Sequence, residues 1–314
     1  MSFDPDRLNR ALARGPFVRV VVAEVKGSTP REPGAEMLVW PDGRSEGTIG
    51  GGRLEFDAIA RARAVIRPEL GRMALGPDLG QCCGGAVVLA YEPVTAPVAP
   101  EGRWHARPFG AAHTEMPLAV RRALGRARDR GEAPKLLIEG WLIEAVAPPP
   151  LPLWIWGAGH VGRALVSVLA PLPGLRLSWA DTGEDRFPET VAENVETLIA
   201  ENPADLVTLA PPDARHLIVT FSHALDFELC HRLLNHGFAA CGLIGSATKW
   251  ARFRSRLGAL GHSDALISRI ACPIGDPTLG KAPQAIAISV AAGLLRELCE
   301  TSAGTATTGE GRTA

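Results

Sequence analysis

The sequence predicts an α/β protein with a C-terminal Rossmann-like parallel sheet and a smaller N-terminal α+β domain. Three observations predict it. The apolar run Leu153-Trp154-Ile155-Trp156 feeds Gly157-Ala158-Gly159-His160-Val161-Gly162, and a helix-like segment follows from Arg163 to Leu169. That is the strand–turn–helix opening of a dinucleotide-binding fold. Strand-like and helix-like segments then alternate to about residue 299, as a parallel sheet covered on both faces requires. Finally, the opening starts at residue 153, so a separate region with its own motifs precedes it.

In the first region, Phe17 to Val25 is β-branched and reads as a strand. The segment Gly27-Ser28-Thr29-Pro30-Arg31-Glu32-Pro33-Gly34 reads as a fixed loop, because it holds two prolines and two glycines. Ala35 to Trp40 forms a second strand, closed by a turn at Pro41-Asp42-Gly43. Gly47-Thr48-Ile49-Gly50-Gly51-Gly52 leads into a helix from Arg53 to Arg67. Gln81-Cys82-Cys83-Gly84-Gly85 opens onto the strand Ala86 to Tyr91. Residues 92–133 carry a weak pattern, with a polar helix over Leu118 to Arg130, and Lys135 to Val146 reads as one strand or a pair. Ala147-Pro148-Pro149-Pro150 is a stiff linker. The domains are therefore 1–146 and 151–300, with a small, polar, disordered tail over 301–314.

In the second region, strands are expected at 153–156, 175–180, 194–199, 214–221 and 239–244. Helices are expected at 160–170, about 224–236, 247–260 and 282–299.

With 314 residues and 46% hydrophobic content, the chain can bury two cores. A net charge of −1 gives no basic excess for nucleic acid or an anionic membrane. The opening Met1-Ser2-Phe3-Asp4-Pro5-Asp6 lacks the marks of a signal peptide, and no long apolar run predicts a membrane span. Six cysteines in such a chain argue for reduced thiols in the cytoplasm.

The candidate binding residues fall in four places. Gly157, Gly159 and Gly162 suit a tight turn, close approach of an anion, and close helix–strand packing, with the helix N-terminus favouring a phosphate. Asp181 ends the next strand, where a ribose-binding acid is expected; His160 either contacts the ligand or caps the helix. Gly50, Gly51 and Gly52 read as an anion nest or as a hinge. Ser28 and Arg31 add a hydroxyl and a forked cation suited to phosphate or an oxo group.

Cys82 and Cys83, beside Gln81, are too close in sequence for a good disulfide. They read either as two small buried hydrophobes or as a pair in which one thiol faces a ligand. Cys230, Cys241 and Cys299 sit in apolar patterns and read as core, while Cys272 stays ambiguous. His223 with Asp226, and His231 with His236, read as surface or capping residues on a polar helix face rather than as acid–base pairs.

Together, Val25 to Met37, Gly47 to Glu55, Gln81 to Gly85, the 157–162 turn, Cys241 to Lys249, and the Pro273-Ile274-Gly275 and Ile286-to-Ser289 segments resemble the XdhC/CoxI family. The resemblance implies a carrier rather than an enzyme with turnover. Such a carrier holds the molybdenum cofactor (Mo-molybdopterin) as cargo while a terminal oxo ligand is exchanged for sulfur supplied through a cysteine desulfurase. It then delivers the cofactor to apo xanthine dehydrogenase. The resemblance also implies a homodimer and a thiolate from Cys82 or Cys83 as a soft ligand near the metal. The residues alone leave two other readings: an NAD(P)-dependent oxidoreductase resting on Gly157 and Asp181, and a sulfur relay on Cys82 or Cys83.

Overall fold

The computed structural model describes residues 2–75, 84–110 and 115–307, with side chains through 298. The chain divides into two compact units, Met1–Ala147 and Pro148–Ala303, with the end of the last helix, from Gly304, grouped with the first.

The first unit is built on an antiparallel sheet. Helix α1 (Pro5–Leu12) leads to β1 (Phe17–Lys26), β2 (Glu36–Val39), β3 (Ser45–Gly47), α2 (Gly52–Ala62), β4 (Glu69–Ala74) and β5 (Ala86–Val94). The five strands lie in the order β3-β2-β1-β5-β4. A second, three-stranded sheet follows, from β6 (Trp104–Pro108), α3 (Leu118–Arg130), β7 (Leu137–Ile138) and β8 (Trp141–Ala145), in the order β6-β8-β7. β1 is apolar without alternation because both its faces are covered. Val20 and Val22 pack with Leu54 and Ala58 of α2, whereas Val21 and Ala23 pack with Phe109 and Leu142.

Arg19 lies on the second of those faces and is almost wholly buried. Its guanidinium donates to both oxygens of Glu144, at 2.8 and 2.7 Å, and also pairs with Glu36. Arg107 donates to Glu144 at 2.7 Å and to Glu92 at 2.6 Å. Three carboxylates thus balance the buried cations, which is the condition for keeping charge in a core. Burial by itself would raise the Glu144 carboxyl, but the charges and hydrogen bonds of Arg19 and then Arg107 override it and hold it down to about 2.

The second unit comprises β9 (Leu151–Trp156), α4 (His160–Leu169), β10 (Leu175–Asp181), β11 (Val195–Ile199), β12 (Arg215–Ile218), α5 (His223–His236), β13 (Ala240–Leu243), α6 (Ala247–Ala259), α7 (Asp264–Ile267), β14 (Ile270–Ala271) and α8 (Pro283–Thr307). The six strands are parallel, in the order β11-β10-β9-β12-β13-β14. This is the doubly wound order, and its direction reverses between β9 and β12. Ligands of such sheets bind outside the carboxyl ends of the strands at that reversal. One apolar core sits on each face of the sheet.

Several boundaries differ from the sequence expectation. Helix α2 stops at Ala62 rather than Arg67, and β4 follows. Arg67 precedes Pro68, and a residue before proline is biased away from helical backbone. Helix α8 runs to Thr307, past the helix end expected at 299. Helix α1 and strands β4 and β6 had no expectation at all. Among the described residues, no helix is long and apolar enough to cross a membrane.

Candidate functional site

The turn after β9 is fixed by its glycines and by two side chains. Gly157 has φ +115°, and a Cβ there would lie 2.7 Å from the Val219 carbonyl oxygen. A Cβ on Gly162 would lie 1.9 Å from the Gly157 carbonyl oxygen. Both positions therefore demand glycine. Gly159 differs: its φ is −73°, and a Cβ would meet nothing within 4 Å. The turn thus leaves an open cradle at its middle glycine.

Trp179 Nε1 donates to the Gly157 carbonyl at 3.0 Å. Asp181 Oδ2 accepts from the Ala158 amide at 2.5 Å, and Oδ1 accepts from the Thr182 amide at 2.7 Å and from its hydroxyl at 3.1 Å. Asp181 stands at the end of β10 as expected, but it is only 3% exposed and both oxygens are in use. It braces the turn. The amides that follow Ala158 open α4, where no intrahelical acceptor exists for them. They leave donors and the positive end of the helix for an anion. His160 is exposed at this end.

Asp226 corrects the sequence expectation. It is wholly buried rather than on a polar surface face. Thr220 Oγ1 donates to it at 2.7 Å, and Lys249 Nζ donates both to it and to the Ile244 carbonyl, the latter at 2.9 Å. The backbone of Thr220 also lines Gly157, its Cα 2.9 Å from the position of a Cβ there. Sequence spacing missed this pair because Lys249 lies on α6 and Asp226 on α5. His231 pairs with His262, ring nitrogens 2.7 Å apart, and not with His236, which contacts the Ala210 carbonyl at 2.8 Å.

In the first unit the three motifs converge through their glycines. A Cβ on Gly50 would lie 2.4 Å from Pro30, and one on Gly85 would lie 2.4 Å from the Ser28 carbonyl oxygen. The 27–34 loop therefore touches both the 47–52 loop and the Gly84-Gly85 end of the cysteine motif. Ser28 is exposed. Arg31 pairs with the neighbouring Glu32 at 3.1 Å and donates to the Thr48 carbonyl at 3.3 Å.

The nest expected at Gly50-Gly51-Gly52 forms, one residue earlier, and the chain fills it with its own anion. Glu55 Oε1 accepts from the amides of Ile49, Gly50 and Gly51 at 2.9, 3.2 and 2.9 Å. Burial would raise this carboxyl, but the Thr48 hydroxyl and those amides hold it below its ordinary value. The acid four to six residues downstream of these amides, in the first turn of α2, was the available signal for this.

Gln81, Cys82 and Cys83 lie outside the described residues. Among the described residues, no cluster of three or more His, Cys, Asp or Glu side chains is arranged to hold a metal. Cys230 and Cys241 are buried, as their apolar patterns implied, and burial raises both thiols. Cys272 is partly buried and also raised. A cavity of about 440 Å³ runs beside α4, lined largely by apolar side chains such as Val166, Trp179 and Val191. None of the turn's glycines lines it, so it is distinct from the turn's open cradle.

Comparison with known proteins adds a family. The XdhC Rossmann domain model matches residues 153–294, and the XdhC and CoxI family model matches residues 11–76. The chain is 28% identical over 289 residues to the uncharacterized protein YqeB of Escherichia coli (strain K12), covering 90% of this chain. It spans only 43% of the length of that relative. A crystal structure described as a xanthine dehydrogenase from Bacillus halodurans superposes with a TM-score of 0.68 at 23% identity, over 95% of this chain and 96% of the other. That likeness speaks to fold.

Proposed function

The chain belongs to the XdhC and CoxI family, and we propose that it is an accessory carrier in the maturation of xanthine dehydrogenase. In this reading it turns nothing over. It holds the molybdenum cofactor while the terminal oxo ligand is exchanged for sulfur supplied through a cysteine desulfurase, and then passes it to the apoenzyme.

One observation carries the reading: the turn after β9 is rigid and open for an anion, yet its acid is sealed. The molybdopterin phosphate ester is the kind of group that suits amides at a helix N-terminus. The open space at Gly159 leaves it room. The Glu55-filled nest of the first unit has no such vacancy for an anion. We therefore assign the phosphate to the second unit.

An NAD(P)-dependent oxidoreductase is the second reading, favoured by the strand order and the glycine turn. Asp181 weighs against it, because its carboxylate is only 3% exposed and is held by the chain's own amides rather than presented to a ribose diol.

Expression in a host that makes molybdopterin tests the proposal. Pterin and molybdenum per chain should approach one, with metal retention falling when Cys82 and Cys83 are both replaced by Ala. Purified protein that holds NAD(H) and no pterin would favour the oxidoreductase.

A further inference from the structure

Two side chains beside the turn have no role so far. Phe221 follows β12 and is 70% exposed, unusual for a large aromatic ring. Arg186 lies in the short helical turn after β10. β10 and β12 are the two neighbours of β9 in the sheet. The guanidinium carbon of Arg186 nevertheless sits 5.1 Å from the Phe221 ring centroid. The pair thus joins the loops on either side of the strand that feeds the glycine turn.

Arg186 is placed there by the fold. Arg163, on α4, donates to the Arg186 carbonyl at 2.6 Å and to the Ala158 carbonyl at 3.1 Å, tying the Arg186 turn to the glycine turn. Arg186 Nε is buried without a hydrogen-bond partner. Its closest carboxylate, Asp181 Oδ1, is 3.6 Å away and already accepts from Thr182. A buried donor left unmet is costly and invites an acceptor.

We infer that Arg186 and Phe221 form a clamp that selects a ligand carrying both a phosphate and a flat heteroaromatic ring. The ring stacks on the open face of Phe221, and the solvent-reaching end of the Arg186 guanidinium gives the phosphate a forked cation. A dinucleotide read through a ribose-binding acid is disfavoured, because Asp181 braces the turn. This deepens the carrier reading and rests on it, since the pterin phosphate is such a ligand.

Guanosine 5′-monophosphate is a convenient probe, because guanine and pterin share a fused 2-amino-4-oxopyrimidine ring. Equilibrium dialysis on the full chain would compare it with guanosine and with NADH. Guanosine monophosphate should bind more tightly than either, and Phe221→Ala and Arg186→Gln should each weaken it by roughly tenfold. Both side chains reach solvent, so thermal unfolding should hardly change. Absent binding, equal binding in both variants, or NADH binding that exceeds the monophosphate would overturn the clamp. Co-purified pterin separates the two failures. Pterin retained in full by Phe221→Ala and Arg186→Gln sinks the clamp alone, whereas pterin absent from the wild-type chain sinks the carrier reading.

Discussion

Replacing Gly159 with Ala separates binding from folding at the turn. The backbone there has φ −73°, ordinary for any residue, and the added methyl meets no atom within 4 Å. Two small stability terms oppose each other. Reduced freedom of the unfolded chain favours Ala by about 0.4–1 kcal/mol, while the loss of a preferred N-cap glycine costs up to about 1 kcal/mol. The net is within about 1 kcal/mol, a shift of roughly 2–4 °C in Tm for a unit this size. Binding should respond far more. The methyl occupies the space of an anion bonded to the first-turn amides, and losing one such charge-assisted bond costs about 1.5–3 kcal/mol, or roughly 10–100-fold. Gly162→Ala is the contrast. Its methyl would stand 1.9 Å from the Gly157 carbonyl oxygen, so the backbone must move and Tm must fall along with binding. The assays are thermal unfolding and pterin per chain on the same preparations. Gly159→Ala protein that melts normally and still carries a full complement of pterin would refute the placement of the phosphate.

Further predictions concern the supports of the two units. Glu144 has a folded pKa held from 4.5 down to about 2, worth about 3 kcal/mol at about 1.36 kcal/mol per pH unit. Because the folded value lies below the unfolded one, this stability is present above about pH 4.5 and lost as pH falls toward 2. Denaturant unfolding of wild type and Glu144→Gln should differ most near neutrality and converge in acid; a gap that persists at low pH contradicts the assignment. Glu55→Gln should cost about 1–2 kcal/mol by weakening the acceptor shared by three amides, read by the denaturant midpoint. Lys249→Met strands the buried Asp226 without its cation and should cost about 3–5 kcal/mol, largely recovered when Asp226→Asn is added. If the double variant is no better than the single, the two side chains are not coupled.

The second unit was the more legible in the sequence. Strands β9, β10 and β13 are mostly apolar runs, and α4, α5 and α6 each follow a strand, so local pattern and fold agree there, whereas α7 and β14 are too short to leave a pattern. The first unit was legible where β1 and the glycine loops stood out. It was opaque over β4 and β6, whose strands are short and interrupted by charge; in Trp104–Pro108 only Trp104 and Ala106 face an apolar cluster, while Arg107 turns to Glu92. At the site, the sequence located the glycines but not what they do. Gly157 and Gly162 are needed for packing and Gly159 for space, a division that spacing alone cannot express. The roles of Asp181 and Glu55 were hidden for one physical reason: whether a carboxylate faces a ligand or bonds the chain's own amides depends on local three-dimensional approach. Arg186, Phe221 and Lys249 come from separate loops and helices, so only the sheet order brings them near the turn or near Asp226.

A carrier is defined by delivery to its client. Pterin-loaded protein, freed of unbound cofactor, is mixed with apo xanthine dehydrogenase, and pterin and hydroxylase activity are followed on the client after the two are separated. Pterin should move and activity appear together, and Gly159→Ala protein should deliver neither. Pterin that stays on the carrier, or a client activated equally well by free cofactor, would contradict the carrier reading.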